Sequence, residues 1–242
     1  MAESAILPGL AIQNSEVLDA PRHSALVRIT HWIHAACFTV LVLSGIAILL
    51  AHPRMYWGET GARGGPSLFD LPLPFVLDVP IRGPGRYLHF LSAWIAVFNG
   101  LLYAVSGLVT GHFRKNLLPA KSDLAVRPIL KAASAHLPFM LRTEAESQTY
   151  NVLQRLSYLA VVFVMFPLII ITGLGMSPAV TSVVPAFATA FGGQQSARTI
   201  HFFVATFLVL FLMVHIAMVI LAGFIRRCRA MITGYAASRK ER

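Results

Sequence analysis

Four histidines lie in strongly apolar stretches of this 242-residue chain, and two of them, His201 and His215, stand fourteen residues apart. In a helix, fourteen residues make almost four turns, so both imidazoles leave nearly the same face about 21 Å apart. An imidazole is costly to place in hydrocarbon, so such histidines are typical of functional sites. His31 and His89 occupy two other apolar stretches. This layout predicts two haems, each held by two histidines across a helix bundle.

The elements that position these histidines follow from composition. The chain is 56% hydrophobic and only 12% charged, whereas soluble domains carry about 25% charged residues. Four stretches are long enough to cross about 30 Å of hydrocarbon as helices; they are residues 29–51, 87–110, 153–176 and 197–224. We therefore predict an all-α integral membrane protein, a four-transmembrane-helix bundle that binds two haems.

The basic residues are distributed unevenly between the two sides of the predicted spans. With the N-terminus in the cytoplasm, fifteen of the twenty lie on the inner side and five on the outer side, as the positive-inside rule requires. This predicts a multi-pass protein with a cytoplasmic arm (1–27), a transmembrane domain (28–225) and a basic cytoplasmic tail (226–242). The formal charge of +10 then indicates topology and contact with acidic lipids of the bilayer. We expect no binding of nucleic acid, since no motif for it accompanies the charge.

Helix direction pairs the histidines by depth. His31 begins the outward-running first span and His215 ends the inward-running fourth span, so both lie towards the cytoplasm. His89 and His201 begin inward-running spans and lie towards the outside. Two imidazoles leave no open position on iron, which suits electron transfer rather than oxygen binding, and each ligand needs an acceptor for its other ring nitrogen. His34, one turn from His31, stays open as an alternative inner ligand.

Other residues are candidates for contact with the cofactors. Three arginines precede a predicted ligand by three residues, one turn nearer the water, where they could pair with haem propionates; they are Arg28, Arg86 and Arg198. The alternative is that they anchor helix ends at the interface. Gly45 lies fourteen residues after His31, where it could leave room for a macrocycle edge, or could serve helix packing. Arg155, at the start of the third span, is a further propionate candidate.

The cysteines exclude covalent attachment of haem. Cys37 and Cys228 are the two cysteines of the chain, and neither belongs to a C-x-x-C-H motif. There is also no cysteine cluster for an iron–sulfur centre. The expected cofactors are therefore two haem b groups, held by side chains without a covalent link.

The four-histidine pattern, over roughly residues 22–224, resembles the di-haem cytochrome b subunits of bacterial membrane redox complexes. That family includes the membrane partners of nickel–iron hydrogenase, formate dehydrogenase and thiosulfate reductase. Three stretches are similar to a narrower branch that accompanies periplasmic molybdopterin oxidoreductases of the sulfite-oxidase type; they are R-I-T-H-W at 28–32, M-Y-W-G-E-T-G at 55–61 and G-G-Q-Q-S-A-R-T-I-H-F at 192–202. The resemblance implies a bacterial inner-membrane location and a periplasmic molybdopterin-type oxidoreductase partner, docked where the long outer loop (52–86) lies.

The resemblance also implies electron exchange with ubiquinone or menaquinone near the inner haem. At that depth Trp32, His112 and Arg114, together with Arg28, are candidates to frame a quinone pocket. Two other functions stay open. One is a stand-alone superoxide:quinone oxidoreductase of the same di-haem fold, which four arginines on the outer side would favour. The other is a haem-free proton-coupled transporter, which would use the buried histidines for proton transfer.

Overall fold

The computed structural model describes residues 24–59, 65–72, 82–111, 113 and 152–235, with side chains from 85 and 156 onwards in the two helices that begin at 82 and 152. The helices are α1 (Ala25–Ala51), α2 (Arg82–Val109), α3 (Val152–Ala160), α4 (Phe166–Gly175), α5 (Pro178–Thr181), α6 (Ala186–Thr189), α7 (Gln194–Leu221) and α8 (Phe224–Thr233). Two short strands, β1 (Arg54–Met55) and β2 (Phe69–Asp70), pair antiparallel. The described part of the chain contains four apolar segments long enough to span a membrane: α1, α2, the α3–α4 segment and α7. The predicted all-α membrane fold is confirmed.

Local chemistry fixes the ends of these helices. Ser24 is the N-cap of α1, where its hydroxyl accepts a hydrogen bond from the backbone N–H of Val27. Helix α1 therefore begins within the segment expected to be the cytoplasmic arm. Gly223 and Gly234, both with positive φ, flank α8, so the start of the predicted basic tail is a separate helix. Residues 1–23 and 236–242 lie outside the described residues.

The third span contains a π-helical turn at Val161–Met165. The backbone N–H of Phe166 bonds to the carbonyl of Val161, five residues earlier. Pro167 follows directly, and a proline inside a helix lacks an N–H and crowds the carbonyl four residues before it. A widened turn relieves that crowding, and turns of this kind occur frequently at functional sites. The span is therefore continuous, with a local change of register in its middle.

The spans pack as two close pairs, α1 with α2 and α4 with α7. A cluster of Val161, Val204 and Leu208 lies between the two histidines of α7, with Phe38 of α1 packed against it. The outward faces carry exposed apolar side chains, such as Val109, which is 81% exposed. A water-soluble protein rarely exposes such continuous apolar surface, whereas a bilayer solvates it.

The outer loop caps the start of α7. Gly193, the N-cap residue, has no side chain for this role, and the carbonyl of Gly58 accepts from the backbone N–H groups of Gln195 (3.0 Å) and Ser196 (3.4 Å) instead. In return the hydroxyl of Ser196 accepts from the N–H of Gly58 at 2.8 Å. These bonds satisfy N–H groups that a helix start leaves unpaired. The loop after β1 is therefore fixed to the helix that carries two of the four histidines.

Candidate haem-binding sites

The outer pair of histidines faces across the gap between α2 and α7. The ring centroids of His89 and His201 are 6.4 Å apart, and the two planes are inclined at 58°. The Nδ1 atom of His89 lies 3.0 Å from the hydroxyl of Ser44 on α1. The Nδ1 atom of His201 lies 3.0 Å from the hydroxyl of Thr172 on α4. Both rings are therefore held from behind by a hydroxyl on a neighbouring helix.

The inner pair faces across the gap between α1 and α7. The ring centroids of His31 and His215 are also 6.4 Å apart, with the planes inclined at 50°. Phe211, one turn earlier on α7, stacks on His215 with 22° between the planes. The buried Nδ1 of His31 has no hydrogen-bond partner among the described residues. The four predicted ligands are thus brought together as two pairs, matched by depth.

The separation of the rings in each pair fits an iron between them. Metal–imidazole bonds of about 2 Å, with ring nitrogens roughly 1 Å from the ring centre, would put the centroids roughly 6–6.5 Å apart. Both pairs match that value at 6.4 Å. Because α7 is one uninterrupted helix from Gln194 to Leu221, its two histidines lie about 21 Å apart along the axis. The residues present therefore fit two bis-imidazole sites, one above the other.

His34 is placed differently from His31. Its Nδ1 lies 2.7 Å from the side-chain nitrogen of Asn99 on α2, and that nitrogen also donates to the backbone carbonyl of Thr30 at 2.8 Å. The carbonyl can only accept, so it fixes the orientation of the Asn99 amide. The second amide hydrogen is then directed to the Nδ1 of His34. In the neutral ring the proton therefore lies on Nε2.

The arginines expected near propionates have other partners as well. Arg28 donates through Nη1 to the carbonyl of Ile232 at the end of α8 (2.6 Å), and its buried Nε has no hydrogen-bond partner in the described part of the chain. Arg198 donates through Nη2 to the carbonyl of His52. The side chain of Arg86 is exposed. Each guanidinium has five N–H donors, so one carbonyl bond leaves donors for an anion. Arg155 lies in α3, but its side chain is outside the described residues.

Of the candidates for a quinone pocket, the structure describes Arg28 and Trp32. The indole N–H of Trp32 donates to the carbonyl of Met231 at 3.1 Å, beside the bond from Arg28 to the same helix end. Cations are favourable at a helix C-terminus because of the helix dipole. Helix α8 is thus fastened to the N-terminal end of α1. His112 and Arg114 lie outside the described residues.

Glycines lie directly against the candidate ligand rings. A Cβ atom on Gly45 would be 3.6 Å from Cε1 of His89, and one on Gly173 would be 3.5 Å from Cε1 of His201. The depth of Gly45 indicates a place beside a haem, and Gly173 in the third span has the same two interpretations, cofactor contact or helix packing. The hydroxyls of Ser44 and Thr172 were not predicted from the sequence. The sequence pattern that could have identified these hydroxyls is a serine or threonine followed by glycine within an apolar span, at the depth of a histidine.

Comparisons with known proteins identify the family to which the chain belongs. A family model described as prokaryotic cytochrome b561 matches residues 22–234. A protein of Azospira oryzae named "Putative protein-methionine-sulfoxide reductase subunit YedZ1" is 29% identical over 213 residues, which cover 88% of this chain and 96% of that relative. No solved structure matches the chain. The chain therefore belongs to the prokaryotic cytochrome b561 family, as a multi-pass b-type cytochrome of a bacterial membrane.

Proposed function

We propose that the chain holds two haem b groups and carries electrons between a periplasmic oxidoreductase and the membrane quinone pool. The observation that carries this proposal is the pair of opposed imidazoles at each of two depths, both with centroids 6.4 Å apart. His89 and His201 hold the outer haem, and His31 and His215 hold the inner haem. A haem at each level supplies reversible one-electron chemistry without an open position for oxygen.

The choice of His31 rather than His34 as a ligand of the inner haem rests on which ring has a nitrogen available to bind iron. His34 faces Phe166 of α4, with ring centroids 5.1 Å apart, and has its Nδ1 engaged by Asn99. A proton on its Nε2 would have to be lost or moved before that nitrogen could bind iron. His31 is the ring that lies opposite His215. His34 therefore serves in this proposal as part of a buried polar contact between α1 and α2.

The role of the arginines is to compensate propionate charge. Arg28 and Arg198 lie one turn before His31 and His201, nearer the start of each helix. Each retains guanidinium donors after its bond to a carbonyl. Arginine pairs with carboxylates through two parallel N–H···O bonds. Arg86 would act in the same way beside His89, and Arg155 and Gly45 are further members of the proposed cofactor environment.

Exposed apolar side chains on the outer loop are an argument for a soluble partner. Trp57 and Leu68, 59% and 58% exposed, lie on the loop that is fixed to α7. Exposed aromatic residues on a rigid support are typical of interface anchors. The Azospira oryzae relative is named as a subunit of a reductase, which supports assembly with an enzyme. We propose a molybdopterin-type oxidoreductase as the partner, on the periplasmic side opposite both termini.

The quinone is proposed to bind near the inner pair, where Arg28 and Trp32 meet α8. His112 and Arg114 are the further candidates there. Ubiquinone and menaquinone are both consistent with this position. The pocket would lie within reach of the inner haem, since Trp32 contacts His31 edge to face at 5.4 Å.

Affinity purification of the chain from its native membrane tests the proposal. We expect a red protein with two haem b per chain, together with a soluble molybdenum-containing subunit identified by mass spectrometry. The paired change Trp57→Ala and Leu68→Ala should release the soluble subunit and leave both haems. Rapid haem reduction by superoxide, without a soluble partner, would favour the stand-alone oxidoreductase instead. A colourless protein would exclude both functions.

A further inference from the structure

Each ring of the outer pair lies against a hydroxyl residue and the glycine that follows it. Ser44 of α1 contacts His89, and Thr172 of α4 contacts His201. A Cβ on the following glycine, Gly45 or Gly173, would lie 3.6 or 3.5 Å from the same ring. The two contacts have the same dimensions, with Nδ1–oxygen distances of 3.0 Å in both. The two hydroxyl side chains are 6% and 0% exposed. We call each such unit a hydroxyl–glycine pair.

Each hydroxyl donates its proton to a backbone carbonyl of its own helix. The Oγ of Ser44 lies 2.6 Å from the carbonyl oxygen of Val40, and the Oγ1 of Thr172 lies 2.7 Å from that of Leu168. A carbonyl has no proton, so the hydroxyl must donate in both contacts. The hydroxyl oxygen can then only accept from the histidine.

The direction of these bonds fixes the tautomer of each ring. His89 and His201 donate from Nδ1–H, which leaves the lone pair of Nε2 free to bind a metal. The glycine of each pair leaves room beside the ring for no more than a small side chain, since a Cβ there would already be in van der Waals contact with Cε1, at 3.6 Å for Gly45 and 3.5 Å for Gly173. His34 meets the opposite arrangement at Asn99, whose amide donates to Nδ1.

We propose that Ser44 and Thr172 are positioning residues that lower the midpoint potential of the outer haem. This inference rests on the proposed two-haem function. A chain of hydrogen bonds from Nδ1–H through a hydroxyl to a carbonyl is mutually polarising and makes the imidazole a more basic ligand. A more basic ligand stabilises the oxidised iron over the reduced iron. The inner level serves as an internal reference, because Nδ1 of His31 has no such acceptor among the described residues.

The test is a spectroelectrochemical titration of the full chain with Ser44→Ala and Thr172→Val. The outer component is identified by its absence from His201→Ala. One hydrogen bond is expected to change the ratio of oxidised to reduced outer haem about three- to tenfold at a fixed ambient potential, and tenfold corresponds to about 59 mV for one electron. We expect the outer midpoint to rise in each variant and the inner midpoint to stay.

Matched controls separate tautomer control from general destabilisation. Thr39 and Thr206 make the same bond to the carbonyl four residues earlier, at 2.9 Å each, but their side chains are exposed. Thr39→Val and Thr206→Val should leave both midpoints unchanged. Thr172→Ser, which keeps the hydroxyl, should have the same outer midpoint potential as the wild type. It should also keep the electron paramagnetic resonance signal of the outer ferric haem.

Where Thr172→Val does not assemble, Thr172→Ala and Ser44→Ala provide the same comparison. The proposal would be overturned if both haems are retained and the ratio of oxidised to reduced outer haem at a fixed potential changes less than twofold. Equal movement of both midpoints, or an equal effect from the exposed controls, would also overturn it. A wild-type chain without two haems would instead refute the proposed function, so the two failures are distinguishable.

Discussion

Replacement of Gly193 by alanine tests whether the outer loop holds the helix of His201 in place. Gly193 has φ 120° and ψ 169°, a region that is essentially restricted to glycine and costs about 1–3 kcal/mol for other residues. An added Cβ would also lie 2.5 Å from the carbonyl oxygen of Gly58. That oxygen accepts the bonds from Gln195 and Ser196, each worth about 0.5–1.5 kcal/mol net. Their loss brings the expected cost to about 2–6 kcal/mol.

Two neighbouring glycines provide matched controls. Gly192 and Gly58 also have positive φ, 78° and 96°, but a Cβ on Gly192 would meet nothing closer than 3.8 Å, and one on Gly58 nothing within 4 Å. Their alanine variants should lose only about 1–2 kcal/mol from the left-handed backbone conformation. The midpoints of the two ranges, about 4 and about 1.5 kcal/mol, differ by about 2.5 kcal/mol, which corresponds to roughly 5–10 °C for a domain of this size.

The assay is the temperature at which half of the haem absorbance is lost from purified protein. We expect Gly193→Ala to lose the outer haem component first and at clearly lower temperature than Gly192→Ala or Gly58→Ala. Equal transition temperatures for all three variants would show that the contact between the loop and α7 does not stabilise the outer site.

Three further results are expected. His34→Ala should retain both haems by absorbance while His31→Ala loses the inner one; loss of the inner haem from the first variant would reverse the choice of ligand. Gly173→Ala should be tolerated, since its Cβ would make an ordinary 3.5 Å contact with His201, but Gly173→Leu should displace that ring and lower outer haem content. A reporter that is active only in the cytoplasm should be active when fused to the C-terminus, because fifteen of twenty basic residues lie on that side, and an inactive, stably expressed fusion would contradict the topology.

The spans were predictable because length and hydropathy are enough to identify them. Observed helices begin up to five residues earlier than predicted, as at Arg82, since the hydrophobic pattern does not register a polar first turn. The pairing of histidines by depth needed only the alternation of helix direction and the rise per residue. Those quantities are properties of the bilayer and the helix, not of side-chain packing.

The surroundings of the rings were not predictable to the same degree. Ser44, Thr172 and Thr39 are alike in sequence, each a hydroxyl residue in an apolar helix that bonds to a preceding carbonyl. Which of them faces a histidine depends on the rotation of the helix, and that is set by packing between helices. The cap at Gly58 is likewise a contact between residues more than 130 positions apart, for which the sequence contains no periodic signal.

The most direct test of the two-site arrangement is the number of haems per chain, measured as pyridine haemochromogen against protein concentration. We expect two in the wild type and one in His201→Ala or His215→Ala, with different absorbance spectra for the two variants because different sites remain. A wild-type chain with one haem or none would contradict the arrangement of opposed imidazoles at two depths.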